Sequence, residues 1–316
     1  MKKYIIVFVF IAALIGLSSC KKAEKISILV PSGSPAFAQL YLEEKKETYD
    51  VMKISGPDNI PAYFNEAEKD IIIAPTNIGI KLYMNAKEEN KEFQYELGAN
   101  VVFGNQYILS REEITINDLN GKVINAYGKN ATPGITLRHI LNAYNVTPSE
   151  INYLPGGIDS QHKFLEDENA ICLVPEPAAS AAIARLEKSN ITVYRINILD
   201  LYNEHHNTEE GFPQASVFIK KSLSKKVKNK ILKDLKNSIN KVNDNVSDAA
   251  DLAISLEYKT PKPVLIKAIP YMNLRYLDGN DAKNALEKYF QIIINDNPKV
   301  IGTELPDKNF YYGIKD

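Results

Sequence analysis

Tryptophan is absent from the 316 residues, and cysteine occurs only twice. Histidine and methionine appear four times each, and arginine is scarce beside lysine. Charge of either sign is not in excess, since the formal net charge is −1. Near neutrality removes the electrostatic case for a nucleic-acid partner. Scarce arginine, with none at the strand-to-helix junctions described below, argues against a bidentate guanidinium clamp on carboxylate or phosphate. No Gly-x-Ser-x-Gly elbow, P-loop or His-Glu-x-x-His occurs, so the common hydrolase, nucleotide and zinc-protease signatures are missing. No short-period repeat or low-complexity tract is present, and hydrophobic residues make up 45%. That proportion supports a sizeable core and excludes global disorder.

The N-terminus carries the clearest local signal. Met1-Lys2-Lys3 is positive, and Tyr4 to Leu17 is an uncharged run of 14 residues. Such a run suits a secretory leader and falls short of the roughly 20 residues a membrane-spanning helix needs. It ends in Leu17-Ser18-Ser19-Cys20, which resembles the lipobox of bacterial lipoproteins. Residues 1–19 are therefore expected to be a signal peptide, Cys20 a lipidated residue, and 20–25 a polar tether. Loss of Lys2 and Lys3 with the leader takes the formal charge to −3. Cys172 is then the only other thiol, so no intramolecular disulfide is available. It lies in the middle of an apolar run, as a buried, inert cysteine would. The expected location is the extracytoplasmic face of the cell membrane, held by lipid.

Short apolar runs alternate with helical patterns through the mature chain, the signature of an α/β fold. Ile26–Val30, Asp70–Ala74, Val101–Phe103 and Tyr107–Leu109 read as strands. So do Val123–Tyr127, Ile151–Leu154, Ala170–Val174, Thr192–Ile196 and Ala215–Ile219. Helices are expected over Pro35–Tyr41, after Thr76, over Pro133–Tyr144 and over Pro177–Lys188. The C-terminal third is helical. Val227, Ile231, Leu235, Ile239 and Val242 form one apolar stripe, with lysines over the remaining face. Residues 26–106 and 215–316 are assigned to one lobe and 107–214 to a second, with Phe310-Tyr311-Tyr312 packing the tail down.

Four strand-to-helix junctions stand out: Ser32-Gly33-Ser34-Pro35, Pro75-Thr76-Asn77, Asn130-Ala131-Thr132-Pro133 and Pro175-Glu176-Pro177. Ser34 and Thr132, each followed by proline, suit helix caps. Helix N-termini also present unpaired N–H groups, which bind anions and polar ligand atoms. In open α/β sheets these loops lie beyond the carboxyl ends of the strands, where ligands bind. Each junction alone is an ordinary cap, but two alike in each of two units would make a cleft.

Several of these segments together resemble a known family. They are Gly56-Pro-Asp-Asn-Ile-Pro61, Asp70-Ile-Ile-Ile-Ala-Pro-Thr-Asn77, Asp118-Leu-Asn-Gly-Lys122, Tyr127-Gly-Lys-Asn-Ala-Thr-Pro133, Val174-Pro-Glu-Pro177 and Leu305-Pro-Asp-Lys-Asn-Phe-Tyr311. In this order they resemble substrate-binding lipoproteins of ABC importers, of the NMT1/THI5-like, sulfonate/nitrate type. The resemblance implies a type II periplasmic-binding-protein fold: two α/β lobes joined by two crossovers and closing on a ligand. It implies a monomer working with an ABC permease and ATPase, without cofactor or catalysis. Carried over by position, it points to Ser32, Gly33, Ser34, Thr76 and Asn77 on the first lobe. On the second it points to Asn130, Ala131, Thr132 and Glu176, with Tyr107 and Gln214 at the crossovers. An uncharged Gln is expected in close relatives where this chain has Glu176. An inward-facing acid there would favour an amine or another hydrogen-bond donor.

The ligand classes left open are a nitrogen heterocycle such as a thiamine-type pyrimidine, and a sulfonate. Phe37, Tyr63, Tyr107 and Tyr127 could stack on a flat ligand, though each alone reads as core or surface. The alternative is an enzyme of the same two-lobe fold acting on futalosine-like or pyrimidine-precursor compounds, and a sensor or adhesin lipoprotein is a third. The leader disfavours the enzymes, which work on cytoplasmic substrates. Glu204-His205-His206-Asn207-Thr208-Glu209-Glu210 contains metal-ligand residue types. Adjacent residues do not converge on one ion, and no third ligand sits at helical spacing. A solvated loop, and no metal, is the expectation there; His139 reads as a helix residue.

Overall fold

A computed structural model describes residues 24–314, so the leader run and Cys20 lie outside the described residues. The strands are β1 (Ile26–Pro31), β2 (Tyr49–Ile54), β3 (Ile71–Pro75), β4 (Tyr95–Phe103), β5 (Gln106–Ser110) and β6 (Val123–Tyr127). They continue as β7 (Glu150–Leu154), β8 (Ile171–Pro175), β9 (Tyr194–Asn197), β10 (Pro213–Lys220) and β11 (Leu274–Asp278). They form a six-stranded sheet in the order β11-β4-β10-β3-β1-β2 and a five-stranded sheet in the order β7-β6-β8-β5-β9. This is a mixed α/β architecture in which the two sheets share one plan. Each carries three parallel strands, β2-β1-β3 and β7-β6-β8. Each triplet is then extended by an antiparallel strand: β10 beside β3, and β5 beside β8.

The reason for the central strands is visible in their composition. Ile71, Ile72, Ile73 and Ala74 are all fully buried, as expected where helices cover both faces of a sheet. β2 and β11 escape the sequence pattern because they are edge strands with mixed polarity and mostly partial burial. The chain passes between sheets at Gly104-Asn105, and returns through residues 207–212 into β10. Gly104 has φ +51°, and a Cβ there would come within 2.8 Å of the Phe212 ring, so glycine permits the two passages to pack closely.

The helix Lys225–Asp244 buries Ile231, Leu235, Ile239 and Val242, as its stripe predicts. Lys228 departs from the expected lysine face: it is buried and pairs with Glu96 and the Lys221 carbonyl. The helix Gly279–Asp296 touches both halves. It packs against β11, β4 and β10, while Tyr289 hydroxyl meets Thr136 Oγ1 at 2.8 Å. Arg138, on the helix Thr132–Ala143, forks onto the Asp296 carboxylate at 3.0 and 2.6 Å. The tail closes on the core, with Phe310 fully buried and Tyr311 bridging to Leu97. Cys172 is buried in β8, and burial pushes its thiol up to about 12. No helix among the described residues is long and apolar enough to cross a membrane.

Candidate functional site

Two pairs of junction residues, Ser34 with Glu176 and Thr132 with Asn77, meet across the two halves. Ser34 and Thr132 do not cap their helices. Gly33 and Ala131 occupy the N-cap positions, without side-chain cap bonds. The hydroxyls cross to the other half instead. Ser34 Oγ donates to the Glu176 carbonyl oxygen at 3.2 Å and accepts from Asn105 Nδ2 at 2.7 Å. Thr132 Oγ1 donates to Asn77 Oδ1 at 3.3 Å. A hydroxyl directed at a partner cannot also cap its own helix, so the sequence signal for a cap was a signal for a bridge.

Asn105 and Gln214 fasten the two passages to this contact. Asn105 N–H donates to Gln214 Oε1 at 3.0 Å, and Gln214 Nε2 donates back to Asn105 Oδ1. Thr76 is turned into the first sheet. Its hydroxyl pairs with Ser216 Oγ at 2.9 Å, and Ser216 in turn donates to Asn100 Oδ1. Gly33 sits opposite the Glu176 backbone with φ +98°, and its ideal Cβ would lie 4.0 Å from that carbonyl. Ser32 is exposed and donates to the Ile54 carbonyl of its own sheet. Asn130 is exposed and Ala131 half-buried at the turn before Thr132. The structure thus joins Ser34, Glu176 and Gln214 at one contact and Asn77 and Thr132 at another. Ser32, Thr76 and Asn130 stand apart from both.

Glu176 is buried, but its side chain points back into its own half. The carboxylate accepts from Ser180 N–H at 3.2 Å and Ser180 Oγ at 2.9 Å, with Arg195 at 3.6 Å. The condition for an acid selecting a cationic ligand is therefore not met: the backbone carbonyl, not the carboxylate, faces Ser34. Burial raises the Glu176 carboxyl to about 7, outweighing the Ser180 hydrogen bonds and the Arg195 charge. Arg195 lies over the Tyr271 ring at 3.3 Å and near Tyr107 at 5.3 Å. Tyr107 donates to the Tyr271 carbonyl at 2.8 Å, and burial raises its phenol above the ordinary value. Tyr107 therefore buttresses Glu176 through this stack.

Gln106 is the residue the sequence did not single out. It is fully buried, and neither end of its amide has a hydrogen-bond partner among the described residues. Strand alternation puts it on the face of β5 that carries Ile108, in the same apolar cluster as Ile135 and Phe212. It follows Asn105 directly and pairs in register with Pro175, next to Glu176. An orphaned buried amide costs roughly 1–3 kcal/mol for each unmet group, a cost that a polar molecule reaching it would relieve. Asn105, Arg195 and Tyr271 were also missed, because their roles arise only when the crossover, β9 and the segment after Ala268 come together. Of the aromatic candidates, Phe37 is core, edge-on to Tyr258 at 5.1 Å between ring centroids. Tyr63 and Tyr127 are half-buried against the apolar cluster.

The fold defined by these two sheets is that of periplasmic binding proteins. Solved structures share it over nearly the whole chain. An ABC transporter protein from Parabacteroides distasonis matches with a TM-score of 0.78 and 19% identity, covering 91% of this chain and 98% of that one. The periplasmic aliphatic sulphonate binding protein of Escherichia coli matches at 0.63 with 14% identity, covering 93% and 97%. The ligand binding component of an ABC-type import system from Staphylococcus aureus, with zinc bound, matches at 0.65 with 12% identity, covering 91% and 96%. No family model matches the chain, and no curated protein does.

Proposed function

We propose that this chain is the solute-binding lipoprotein of an ABC importer, anchored through Cys20, with its ligand held between the two sheets. The observation that carries the reading is the buried, unpartnered amide of Gln106, next in the chain to Asn105, which binds the Ser34 hydroxyl that bridges to Glu176. A polar solute would satisfy that amide and compete for the bonds Ser34 makes to Glu176 and Thr132 makes to Asn77. The lobes, residues 26–106 with 215–316 and residues 107–214, would then close because the contacts on both sides exist together only around ligand. Ser34, Asn77, Thr132 and Gln106 supply donors and acceptors, while Gly33, Asn105 and Gln214 hold the geometry.

The chemistry favours an uncharged or singly anionic ligand. The Glu176 carboxylate is already engaged by Ser180 and Arg195, so it offers no free negative charge. The donors and acceptors at the bridges are amides, hydroxyls and a carbonyl, which suit a nitrogen heterocycle or a sulfonate oxygen. The fold likeness to the sulphonate binding protein supports the second, and the amide of Gln106 fits either. The reading is tested by thermal denaturation of the full-length protein against pyrimidines, other nitrogen heterocycles and sulfonates. A ligand at 100 times its Kd adds about 2.7 kcal/mol of stability. Gln106→Met should lose about half of that gain. A panel that leaves the melting point unmoved, or a ligand held equally well by Gln106→Met, would remove the support for this site.

A further inference from the structure

The helix Ile198–His206 ends in two histidines, and the helix Thr132–Ala143 lays a third beside them. His139 Nε2 and His206 Nε2 stand 2.8 Å apart. One ring nitrogen from each of His139, His205 and His206 falls within 4.8 Å of the other two. The rings of His139 and His206 are stacked with centroids 5.1 Å apart, and His205 lies edge-on to both, at 5.8 and 4.8 Å. From this we infer that His139, His205 and His206 form a binding site for one late first-row divalent transition ion, of the Zn2+, Cu2+ or Ni2+ class.

The objection from spacing disappears in three dimensions. His205 and His206 close the last turn of their helix, before Asn207 turns left-handed, and the missing ligand comes from 66 residues away. Tetrahedral nitrogen ligands with bonds of about 2.0–2.1 Å stand roughly 3.3 Å apart, between the closest and widest separations seen here. Modest rotation of the exposed His205 and His206 side chains would therefore bring three imidazoles around one centre. Neutral imidazole is a ligand of choice for these ions, whereas the site lacks the carboxylate and carbonyl oxygens that Mg2+ and Ca2+ need. Glu204 is held by the Tyr144 hydroxyl at 2.9 Å and so is not counted as a ligand. The exposed side of the cluster leaves a fourth position for water. The other ring contacts are to Tyr202 and Tyr144, which pack around the cluster and coordinate nothing.

A bound ion would tie the helix that starts at Thr132 to the helix that leads into the returning passage at residues 207–212. It would thereby stiffen the part of the molecule between the bridge and the crossover. The test uses chelator-stripped full-length protein and Zn2+ alone, titrated in competition with a chromophoric chelator. One equivalent should bind, and the melting point should rise with it. His205→Gln and His206→Gln alter exposed side chains and should melt like wild type without metal. Each should weaken Zn2+ binding at least tenfold, and the double variant should abolish the stoichiometric equivalent. Absence of a stoichiometric Zn2+ equivalent in wild type would overturn the proposal. So would undiminished binding in the double variant, which would place the ion elsewhere on the surface. Because neither histidine touches Ser34, Thr132 or Gln106, solute binding by the variants reports separately on the proposed cleft.

Discussion

Replacement of Gln106 by methionine removes the unpartnered amide at little change in volume. Methionine matches glutamine in length, fills irregular space and carries no amide. The wild-type side chain is fully buried with both amide atoms unmet. Each unmet group costs roughly 1–3 kcal/mol, and imperfect repacking of a similar volume returns up to about 1.5 kcal/mol. The ligand-free variant should therefore be more stable than wild type by about 2 kcal/mol, in the lower part of the resulting span of roughly 0.5–6 kcal/mol. Its melting point should rise by roughly 4 °C at this chain length. Ligand should narrow the difference. At 100 times the wild-type Kd, wild type gains about 2.7 kcal/mol, while a tenfold weaker variant gains about 1.4 kcal/mol. The lead of the variant then shrinks to about 0.7 kcal/mol. Urea denaturation with and without ligand measures all four stabilities. A variant less stable than wild type by about 2 kcal/mol, yet gaining as much from ligand, would show that the Gln106 amide neither burdens the ligand-free protein nor meets the ligand.

Three further outcomes follow from other parts of the molecule. The Glu176 carboxyl titrates near 7 when folded, above its ordinary value of 4.5, so its protonated form favours the folded state. Its contribution is fully present below pH 4.5 and is lost as pH rises through 7, by about 3 kcal/mol in all. Urea unfolding across pH 4.5–8 should show this fall, and Glu176→Gln should flatten it; equal slopes would exclude Glu176 as the source. At Gly79 a Cβ would stand 2.0 Å from Phe218 Cζ, a ring also packed edge-on against Phe64. Gly79→Ala should cost about 1–3 kcal/mol by overpacking, and a loss below half of one kcal/mol would show that the ring moves aside freely. Finally, Cys20→Ala should keep the protein from partitioning into detergent, and unchanged partitioning would remove the lipid anchor from the proposal.

The central strands could be read directly from the chain, because a strand buried on both faces must be apolar throughout. Ile71–Ala74 shows this, and the helical stripe at Ile231, Leu235, Ile239 and Val242 shows the equivalent rule for a helix. The half-polar edges β2 and β11 obey no such rule and were missed. Junctions were located correctly but misread in detail. Ser34 and Thr132 sit at helix starts in the right sequence context for caps, and only the opposing half reveals what their hydroxyls bond. Glu176 carried a charge that suggested ligand selection, yet Ser180, four residues on, turns that charge inward. What surrounds Gln106 and His139 could not be read from the chain, for a common reason. An unmet amide and a converging imidazole are properties of the neighbours, and those neighbours lie far away in the chain.

The order of strands in the six-stranded sheet has a consequence for how the chain assembles. β10 lies between β4 and β3, although β4 ends at Phe103 and β10 begins at Pro213. During synthesis the first half therefore waits with a gap at its centre, its β3 and β4 edges unpaired. The second sheet has no such gap, since β5 through β9 are contiguous in sequence and complete by Asn197. The later half is thus able to close first, shortening the loop that β10 must span before it inserts. An exposed pair of apolar edges in the interval is the vulnerable stage, and it ends only when one strand slides home.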